Sequence, residues 1–392
     1  MRVLILGGDG YLGWPTAMHL SKKGYDVAII DNYFRRNACR ELNREPLLPA
    51  LNLHERVAEW QRVSGKKIEV AIGDITHYPF LKSCFSGVAF TGNNDKAKYP
   101  DAVIHYAEQP SGPYSMMDYE KSSFTITNNL MSTLNLIHAI KEYKPECHII
   151  KLGTMGVYGT PNIDIEEGYI EIEKGGRKHT CLFPKSPGSL YHLTKVQDGD
   201  MLYFYCKTWG IKVTDLNQGP VYGMFTDETQ NNENLATIFN YDDIFGTVLN
   251  RFIVQAVCGY PLTVYGKGGQ VRGYLNIKDT LQCVELTLRT PASEGEYRVL
   301  NQFTETFTVN DLAKKVQDSG RRLGLDVKIK AIANPRVEAE DHYYNPKHTG
   351  LMELGLQANL LSGDVLDEMI GFVKKYKSSV NTNCIKPQVK WN

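Results

Sequence analysis

The two side chains best suited to move a proton are Tyr191 and Lys195, in the segment YHLTK. Their i, i+4 spacing places both on one face of a predicted helix, about one turn apart. A tyrosine hydroxyl has a pKa of ~10, and a nearby positive charge such as an ammonium would lower that pKa. Tyr191 is therefore predicted to be the base when an alcohol is oxidised, with Lys195 tuning it.

A single hydroxyl stands at the end of a predicted strand, in the segment HIIKLGTMGVYGT. Thr154 follows the apolar residues, and Met155 and Gly156 after it cannot carry a proton. Ligands of parallel sheets lie beyond the carboxyl ends of the strands, so Thr154 is predicted to face a substrate. The reaction would need a hydroxyl at this point but no neighbouring carboxylate.

The first predicted strand is followed by GGDGYLG, with glycines at 7, 10 and 13. This spacing between a strand and a helix is typical of a dinucleotide-binding loop, whose glycines permit a tight turn and close approach to a pyrophosphate. Asp31 ends the second strand and favours NAD over NADP, because a carboxylate binds ribose hydroxyls. The residues predicted to bind NAD are Gly7, Gly10, Tyr11, Leu12, Gly13, Asp31, Asn32, Arg35, Arg36, Asp74, Ile75, Tyr191 and Lys195.

Some of these cofactor assignments have alternatives. Arg35 and Arg36 could bind a 2′-phosphate, or they could form a solvated pair in a loop. Asp74 and Ile75 could flank the adenine, or the segment could simply end a strand. The dinucleotide prediction depends on the glycines and on Asp31 and stands without these four residues.

The elements that must position these residues follow from the hydrophobic pattern. Strands are predicted at RVLIL, DVAII, IEVAIGDI, DAVIHYA, HIIKLG and KVTDLN, with helices between them. This alternation predicts an α/β protein with a doubly wound parallel sheet, the Rossmann arrangement. After Gly219 the regular alternation of predicted strands and helices ends. We expect residues 1–220 to form the NAD-binding domain with the catalytic residues, and residues 221–392 to form mainly a smaller mixed α/β substrate lobe, interleaved with the sheet.

Charge and cysteine content restrict the function class. The 392 residues contain 44 Lys plus Arg and 44 Asp plus Glu, so the net charge is zero, which argues against nucleic-acid and membrane-surface binding. The eight cysteines are scattered without metal-ligand spacing, so neither a metal nor a disulfide framework is expected. No segment is long and apolar enough to span a bilayer, and a strand that starts at the first residue leaves no room for a targeting peptide. A cytoplasmic location is expected.

The glycine loop, Thr154 and the Tyr191/Lys195 pair together resemble the extended short-chain dehydrogenase/reductase family that acts on nucleotide sugars. DLNQGPVYG and PLTVYGKGGQVRGYLNIKDT resemble two later blocks of that family. The resemblance implies that Tyr265 runs near the uracil and that Arg272 binds the diphosphate through its fork of donors. The residues expected to bind substrate are Gln109, Thr154, Asn217, Gln218, Val264, Tyr265, Arg272 and Arg336. For Arg336, the alternative that it is a surface arginine without a ligand has nearly the same weight as substrate binding.

Longer blocks, including KLGTMGVYGTPNIDIEEGYI, VLNQFTE and NPRVEAEDHYYN, resemble the UDP-sulfoquinovose synthases along essentially the whole chain. That group joins UDP-glucose and sulfite into UDP-sulfoquinovose and water. The resemblance implies oxidation at C4 by NAD, loss of water across C5–C6, addition of sulfite and return of the hydride to C4. Thr154 would hydrogen-bond the C4 oxygen. His192 is the candidate acid or base at C6, because an imidazole titrates near neutral pH.

Dehydratases of the wider family carry Thr-Asp-Glu where this chain has Thr154, Met155 and Gly156. The acid pair of those enzymes expels the C6 hydroxyl and takes the C5 proton. A carboxylate at residue 155 would repel incoming sulfite, so Met155→Asp is expected to suppress sulfonate formation.

Two departures from plant-type relatives concern the sulfite site. Pro110 stands where an arginine is expected, and Val157 where a glutamate is expected. Gln109, Ser111 and the N–H groups of their loop remain candidate donors to sulfite. The family also implies a homodimer through two long helices, and sulfite could be delivered by a donor protein.

Two other functions remain open at this point. A UDP-sugar C4 epimerase is one, since many such enzymes have small neutral residues after the catalytic hydroxyl. A non-catalytic NAD-sensing protein is the other. Such regulators commonly lack the tyrosine and lysine pair, which this chain retains at 191 and 195.

Overall fold

A parallel sheet lies at the centre of the protein, whose computed structural model describes residues 1–91, 98–230, 232–334 and 343–386. The strands in chain order are β1 (Arg2–Leu6), β2 (Asp26–Asp31), β3 (Ile68–Ile72), β4 (Ala102–His105), β5 (His148–Thr154), β6 (Tyr169–Lys174), β7 (Arg177–Leu182), β8 (Lys212–Gln218), β9 (Val221–Tyr222), β10 (Leu262–Tyr265), β11 (Val271–Asn276), β12 (Tyr297–Gln302), β13 (Glu305–Thr308) and β14 (Ile329–Ile332). Seven of them form the central sheet in the order β12-β8-β5-β4-β1-β2-β3.

Helices cover this sheet and the smaller lobe. In chain order they are α1 (Gly13–Lys22), α2 (Phe34–Glu41), α3 (Leu53–Ser64), α4 (Tyr78–Phe85), α5 (Val88–Thr91), α6 (Gly112–Ser115), α7 (Tyr119–Tyr143), α8 (Leu190–Trp209), α9 (Val248–Val257), α10 (Ile277–Arg289), α11 (Val309–Arg322), α12 (Gly350–Glu353) and α13 (Gly363–Lys375). The helix α8 begins after Ser189, whose hydroxyl accepts the His192 N–H, and it ends at Gly210 in the left-handed conformation that glycine tolerates best.

The apolar residues of β1 show that both faces of the sheet are buried. Val3 and Ile5 pack in one apolar cluster with residues of α1 and α10, whereas Leu4 and Leu6 pack in another with residues of α4, α7 and α8. Successive strand residues point to opposite faces, so helices lie on both sides of the parallel sheet. The predicted doubly wound α/β fold is confirmed.

The second half of the chain contributes both to the sheet and to a smaller lobe. β12 pairs with β8 in parallel and forms an edge of the central sheet. β9, β11 and β13 form a three-stranded sheet, and β10 pairs with β14. Helices α9, α11 and α13 pack around an apolar cluster that includes Phe252, Val316 and Ile370. The mixed α/β lobe is therefore present and interleaved with the sheet, while the domain boundary at residue 220 stays a prediction.

Neither a membrane-spanning helix nor a metal site is present within the described ranges. None of the helices there is long and apolar enough to cross a lipid bilayer. In the same ranges, no group of three or more His, Cys, Asp or Glu side chains is arranged to hold a metal ion. The cytoplasmic location stays a prediction.

Candidate active site

A cavity of about 780 Å³ opens at the carboxyl ends of the central strands. Its wall is formed by the glycine-rich loop after β1, the end of β2, the loop after β4, the end of β5, the start of α8 and loops of the smaller lobe. β1 lies between β2 and β4, and ligands of doubly wound sheets bind where the strand order reverses in this way. Both halves of the chain thus enclose one ligand-sized space.

The glycine-rich loop has no room for side chains at two positions. A Cβ on Gly7 would lie 2.8 Å from the carbonyl carbon of Tyr106, and the φ of +86° at Gly7 also disfavours other residues. A Cβ on Gly13 would lie 2.0 Å from the Gly7 carbonyl oxygen. The five loop residues predicted to bind NAD all line the cavity, namely Gly7, Gly10, Tyr11, Leu12 and Gly13. The loop and the start of α1 therefore fit a dinucleotide pyrophosphate.

Asp31 ends β2 at the cavity wall, where its carboxylate accepts the Asp9 N–H at 2.9 Å and the Tyr33 N–H at 2.7 Å. Burial and the Asp9 carboxylate raise the pKa of Asp31 to about 6, and its backbone donors and Arg36 oppose that rise. An acid at the end of the second strand fits the ribose hydroxyls of NAD. Three further predicted cofactor residues also line the cavity, namely Asn32, Arg35 and Ile75.

Behind the glycine-rich loop, two arginines neutralise Asp9. Arg36 donates to both carboxylate oxygens of Asp9, at 2.5 and 2.6 Å. Arg56 is fully buried, lies 3.4 Å from the Asp9 carboxylate and donates to the Ala236 carbonyl at 2.6 Å. We call Asp9, Arg36 and Arg56 the cofactor-side network. The prediction that Arg36 contacts NAD, or else is solvated, is corrected, because its donors are used by Asp9 and by two main-chain carbonyls.

Thr154, Tyr191 and His192 line the same cavity. Thr154 is the last residue of β5, and its hydroxyl accepts the Gly156 N–H at 3.2 Å. Tyr191 and His192 lie in the first turn of α8, with their ring centroids 5.1 Å apart. The structure thus brings two hydroxyls and one imidazole to a single wall, and these groups can exchange protons with a bound alcohol.

Lys195 lies behind Tyr191 and does not line the cavity. Its ammonium donates to the Leu152 carbonyl at 2.5 Å and pairs with Glu108 at 2.8 Å. Burial and the Glu108 carboxylate raise the pKa of the Tyr191 hydroxyl, and the cation that opposes them is Lys151. The prediction that Lys195 lowers this pKa stays a prediction, and the contact of Glu108 with the Lys195 ammonium opposes such an effect.

A buried lysine connects three elements beneath the start of α8. Lys151 of β5 pairs with Asp198 of α8 at 2.7 Å and with Asp215 of β8 at 3.1 Å. Burial and Glu108 raise the pKa of Asp198 to about 8, and Lys151 opposes that rise. We call these buried charges the catalytic-side network, which consists of Glu108, Lys151, Lys195, Asp198 and Asp215. Sequence analysis missed it, although a lysine inside the apolar run HIIKLG was a signal.

The substrate-side wall contains part of the predicted set. Gln218, Tyr265 and Arg272 line the cavity. Arg251 of α9 lines it too, with its guanidinium carbon 4.8 Å from the centre of the Tyr265 ring. Sequence analysis did not single out Arg251, because one arginine on an amphipathic helix forms no motif. Arg336 lies outside the described residues.

Gln109 does not reach the cavity. Its side-chain amide donates to the Ser111 carbonyl at 3.0 Å and to the Thr125 hydroxyl at 2.9 Å, and its amide oxygen accepts the Ser111 N–H. The Ser111 hydroxyl donates to the Ile244 carbonyl at 2.6 Å. Gln109 is therefore corrected from a ligand-binding residue to one that holds its own loop, and the Ser111 hydroxyl is used internally as well.

Three other predicted contacts are also internal. The Asn217 amide donates to the Tyr158 hydroxyl at 2.9 Å. Val264 is buried in the apolar cluster of the smaller lobe. The Asp74 carboxylate accepts the Thr76 N–H and hydroxyl at 2.8 and 2.7 Å. These side chains lie near strand ends, as ligand-binding residues often do. Each of them, however, already makes hydrogen bonds or apolar contacts within the fold.

Met155 is both a cavity residue and a core residue. It lines the cavity, yet it is only 6% exposed and packs in an apolar cluster with Val157, Tyr158 and Phe303. A carboxylate at residue 155 would be buried among apolar groups, which costs stability on its own account. Met155→Asp would therefore combine repulsion of sulfite with damage to the fold.

Comparison with known proteins gives a consistent result. The sequence profile described as the NAD dependent epimerase/dehydratase family matches residues 3–301. "UDP-sulfoquinovose synthase, chloroplastic" of Spinacia oleracea is 53% identical over 390 residues, which cover 100% of this chain and 79% of that protein. "UDP-sulfoquinovose synthase" of Sulfolobus acidocaldarius is 43% identical over 394 residues, which cover 100% of this chain and 98% of that protein.

A solved structure shows the same fold. It is that of UDP-glucose 4-epimerase from Bifidobacterium longum in complex with NAD+ and UDP, and it matches with a TM-score of 0.70. The match covers 97% of this chain and 100% of that one, at 20% sequence identity. At this level of identity the likeness concerns the fold alone.

Proposed function

The chain belongs to the NAD dependent epimerase/dehydratase family, beside the UDP-sulfoquinovose synthases, and we propose that it joins UDP-glucose and sulfite into UDP-sulfoquinovose and water. The observation that carries this proposal is the 53% identity to a synthase along the whole chain. The cavity supports it, because Thr154, Tyr191 and His192 share one wall while residues 155 and 156 carry no charge.

NAD fits the residues that line the cofactor side. Side chains are excluded at Gly7 and Gly13, and the Asp31 carboxylate lines the cavity at the end of β2. When bound, NAD accepts a hydride from C4 of the sugar and gives it back at the end of the reaction. We assign the binding of its pyrophosphate to the glycine-rich loop and of its adenosine ribose to Asp31.

At C4, the proton of the sugar hydroxyl passes to Tyr191 while Thr154 hydrogen-bonds the same oxygen. Burial and Glu108 raise the pKa of Tyr191, so the phenolate needs additional positive charge nearby. Tyr191 is thus expected to become an effective base only once a positively charged cofactor is bound. Lys195, held by Glu108 and the Leu152 carbonyl, keeps its ammonium one helical turn from Tyr191.

At C5 and C6, His192 is the residue proposed to move protons. A ketone at C4 acidifies the C5 proton, and loss of the C6 hydroxyl as water leaves a carbon-carbon double bond conjugated to that ketone. The sulfur lone pair of hydrogen sulfite then adds to C6, and the proton that hydrogen sulfite brings is transferred to C5. Met155 and Gly156 contribute no negative charge beside C6, so they do not repel the anion.

The proposed homodimer would use the two longest helices. α7 and α8 pack side by side, and each carries large apolar side chains on its exposed surface. These are Ile126 at 40% exposure, Met131 at 39%, Leu193 at 38% and Phe204 at 57%. Burial of such residues against a second copy would stabilise a dimer. Light scattering on the purified protein tests this, and a monomer at micromolar concentration would contradict it.

The function is tested by incubating the protein with UDP-glucose, with and without free sulfite, and analysing the products by mass spectrometry. A sulfonated UDP-sugar that requires both substrates is the expected result, and its formation from free sulfite would show that no donor protein is needed. UDP-galactose as the product would instead identify a C4 epimerase. Bound NAD without turnover of any UDP-sugar would indicate a non-catalytic protein.

A further inference from the structure

Residue 156 has no side chain, and the imidazole of His192 occupies the space where one would begin. A Cβ on Gly156 would lie 2.4 Å from Nε2 of His192 and 2.5 Å from Cδ2. Gly156 is not among the residues with positive φ, so its backbone conformation is open to any L-residue. The requirement for glycine here comes from the imidazole and not from the backbone.

The imidazole is held in this place by Ser189. The Ser189 hydroxyl accepts the His192 backbone N–H at 3.2 Å and lies 3.0 Å from Nδ1 of the same residue. A hydroxyl can donate to a neutral Nδ1 or accept from a protonated one, so Ser189 can stay bonded in both protonation states. With Nδ1 bonded to Ser189, Nε2 is the ring nitrogen that faces residue 156.

We infer that Gly156 is a specificity-determining residue and that Ser189 is the positioning residue of the His192 imidazole. Because residue 156 has no side chain, the imidazole can occupy the space that a side chain of residue 156 would need. This inference rests on the proposed function. An acidic side chain at residue 156 and the imidazole at its present place exclude each other by steric overlap. The protein therefore carries its acid and base for C5–C6 on α8, and the end of β5 contributes only Thr154 to the chemistry.

One imidazole is sufficient for the proton balance of the elimination. Nε2 accepts the proton from C5, the electrons of the C5–H bond form the C5–C6 double bond, and the C6–O bond breaks. The same proton passes from Nε2 to the departing oxygen, which leaves as water. No net proton is gained or lost by the protein, and the Ser189 hydroxyl accepts the Nδ1–H while the ring is charged.

The test uses the NAD-loaded protein with ¹⁵N- and ¹³C-labelled histidine, whose ring signals report tautomer and surroundings by NMR. The His192 signals are assigned by their loss in His192→Asn. We expect Gly156→Ala to shift them, because the added methyl group displaces the ring. Gly188→Ala is the matched control, since Gly188 lines the same cavity but a Cβ there meets no atom within 4 Å. The His192 signals should remain unchanged in that variant.

Product analysis completes the test. Gly156→Ala should lower sulfonated sugar output by about 10²-fold or more, the usual contribution of an acid or base, while NAD binding persists. Ser189→Ala should change the pH profile of product formation and the His192 tautomer, and Ser189→Thr should restore both. Loss of the helix cap alone would not change the tautomer or the pH profile. Unchanged ring signals and unchanged output in Gly156→Ala would overturn the inference. A wild-type protein that makes no sulfonated sugar would overturn the proposed function, while a shifted ring in Gly156→Ala would still support the steric exclusion.

Discussion

Two buried ion networks lie behind the same cavity, and they differ in the kind of group that carries the positive charge. In the cofactor-side network, Arg36 and Arg56 spread their donors over Asp9 and over main-chain carbonyls of neighbouring loops. Arginine keeps its proton throughout the physiological pH range. This network therefore has one charge state, and it holds the glycine-rich loop in place.

The catalytic-side network pairs two lysines with three carboxylates. Lys151 contacts Asp198 and Asp215, and Lys195 contacts Glu108. Burial and Glu108 raise the pKa of Asp198 above the usual range of a carboxyl, while Lys151 opposes that rise, so the charge of this group can change with pH. The comparison teaches that the charges beside the cofactor loop do not change with pH, whereas the charges beside the proton-transfer residues can change with pH.

The largest effect should come from Tyr191→Phe, which removes the hydroxyl of the proposed base but leaves the glycine-rich loop and Asp31 unchanged. Sulfonated sugar output should fall by about 10²–10⁴-fold, because general base catalysis typically contributes that much. NAD binding, followed by isothermal titration calorimetry, should persist. If the variant keeps its output, the catalytic side does not depend on the Tyr191 hydroxyl.

The next largest effect is expected for Lys151→Met. Two buried carboxyls would lose their cation, which typically costs about 3–5 kcal/mol of the free energy of unfolding. Denaturant titration measures the loss. The control is Lys178→Met, because Lys178 pairs with Glu171 on the exposed β6–β7 hairpin and should contribute less than about 1 kcal/mol. Equal losses in the two variants would show that Lys151 is not a structural connection.

Arg56→Met should cost less than Lys151→Met, which sharpens the comparison. Arg36 would still neutralise Asp9 through two hydrogen bonds, so the main loss falls on the Ala236 carbonyl, together with a longer 3.4 Å contact to the Asp9 carbonyl. A buried group without its partner costs about 1–3 kcal/mol. The same denaturant titration applies. A loss as large as that of Lys151→Met would mean that Arg36 cannot neutralise Asp9 alone.

The smallest effect near pH 4 is expected for Asp198→Asn, and the difference in stability from the wild type should grow as pH rises. Because the pKa of Asp198 is raised from 3.8 to about 8 by folding, the native protein holds a proton that the unfolded chain loses between these values. The contribution of Asp198 to the free energy of unfolding should therefore fall as pH rises from about 4 to about 8 in the wild type. Asp198→Asn lacks this pH-dependent contribution. Near pH 4 its free energy of unfolding should be within about 1 kcal/mol of the wild-type value, and toward pH 8 it should rise relative to the wild type. Parallel pH profiles of stability would contradict the raised pKa.

The sequence predicted those parts of the protein that depend on neighbours along the chain. The strand and helix pattern, the loop with Gly7 and Gly13, and the convergence of Thr154 and Tyr191 at one wall all follow from local periodicity and from the rule for carboxyl ends of parallel strands. The family resemblance added the substrate class, which the comparisons support along the whole chain.

The sequence could not predict which polar groups are already used inside the fold. Gln109 and Asn217 have the residue type and location of ligand-binding groups, yet partners from other elements occupy them. The contact between Lys195 and Glu108 joins α8 to the loop after β4, a distance of many residues along the chain. Such pairs are decided by tertiary packing, and for that reason the sequence could not predict the Glu108 contact, which opposes the expected effect of Lys195 on Tyr191.

The position of β12 has a consequence for how the polypeptide reaches its folded state during synthesis. β8 gains its outer neighbour only when residues 297–302 have left the ribosome, and the Tyr297 hydroxyl that donates to Asp215 at 2.5 Å arrives with them. Until then β8 is an open edge, which other chains can join. A fragment that stops after residue 220 should therefore be prone to aggregate, because its β8 edge would stay without the neighbouring strand β12.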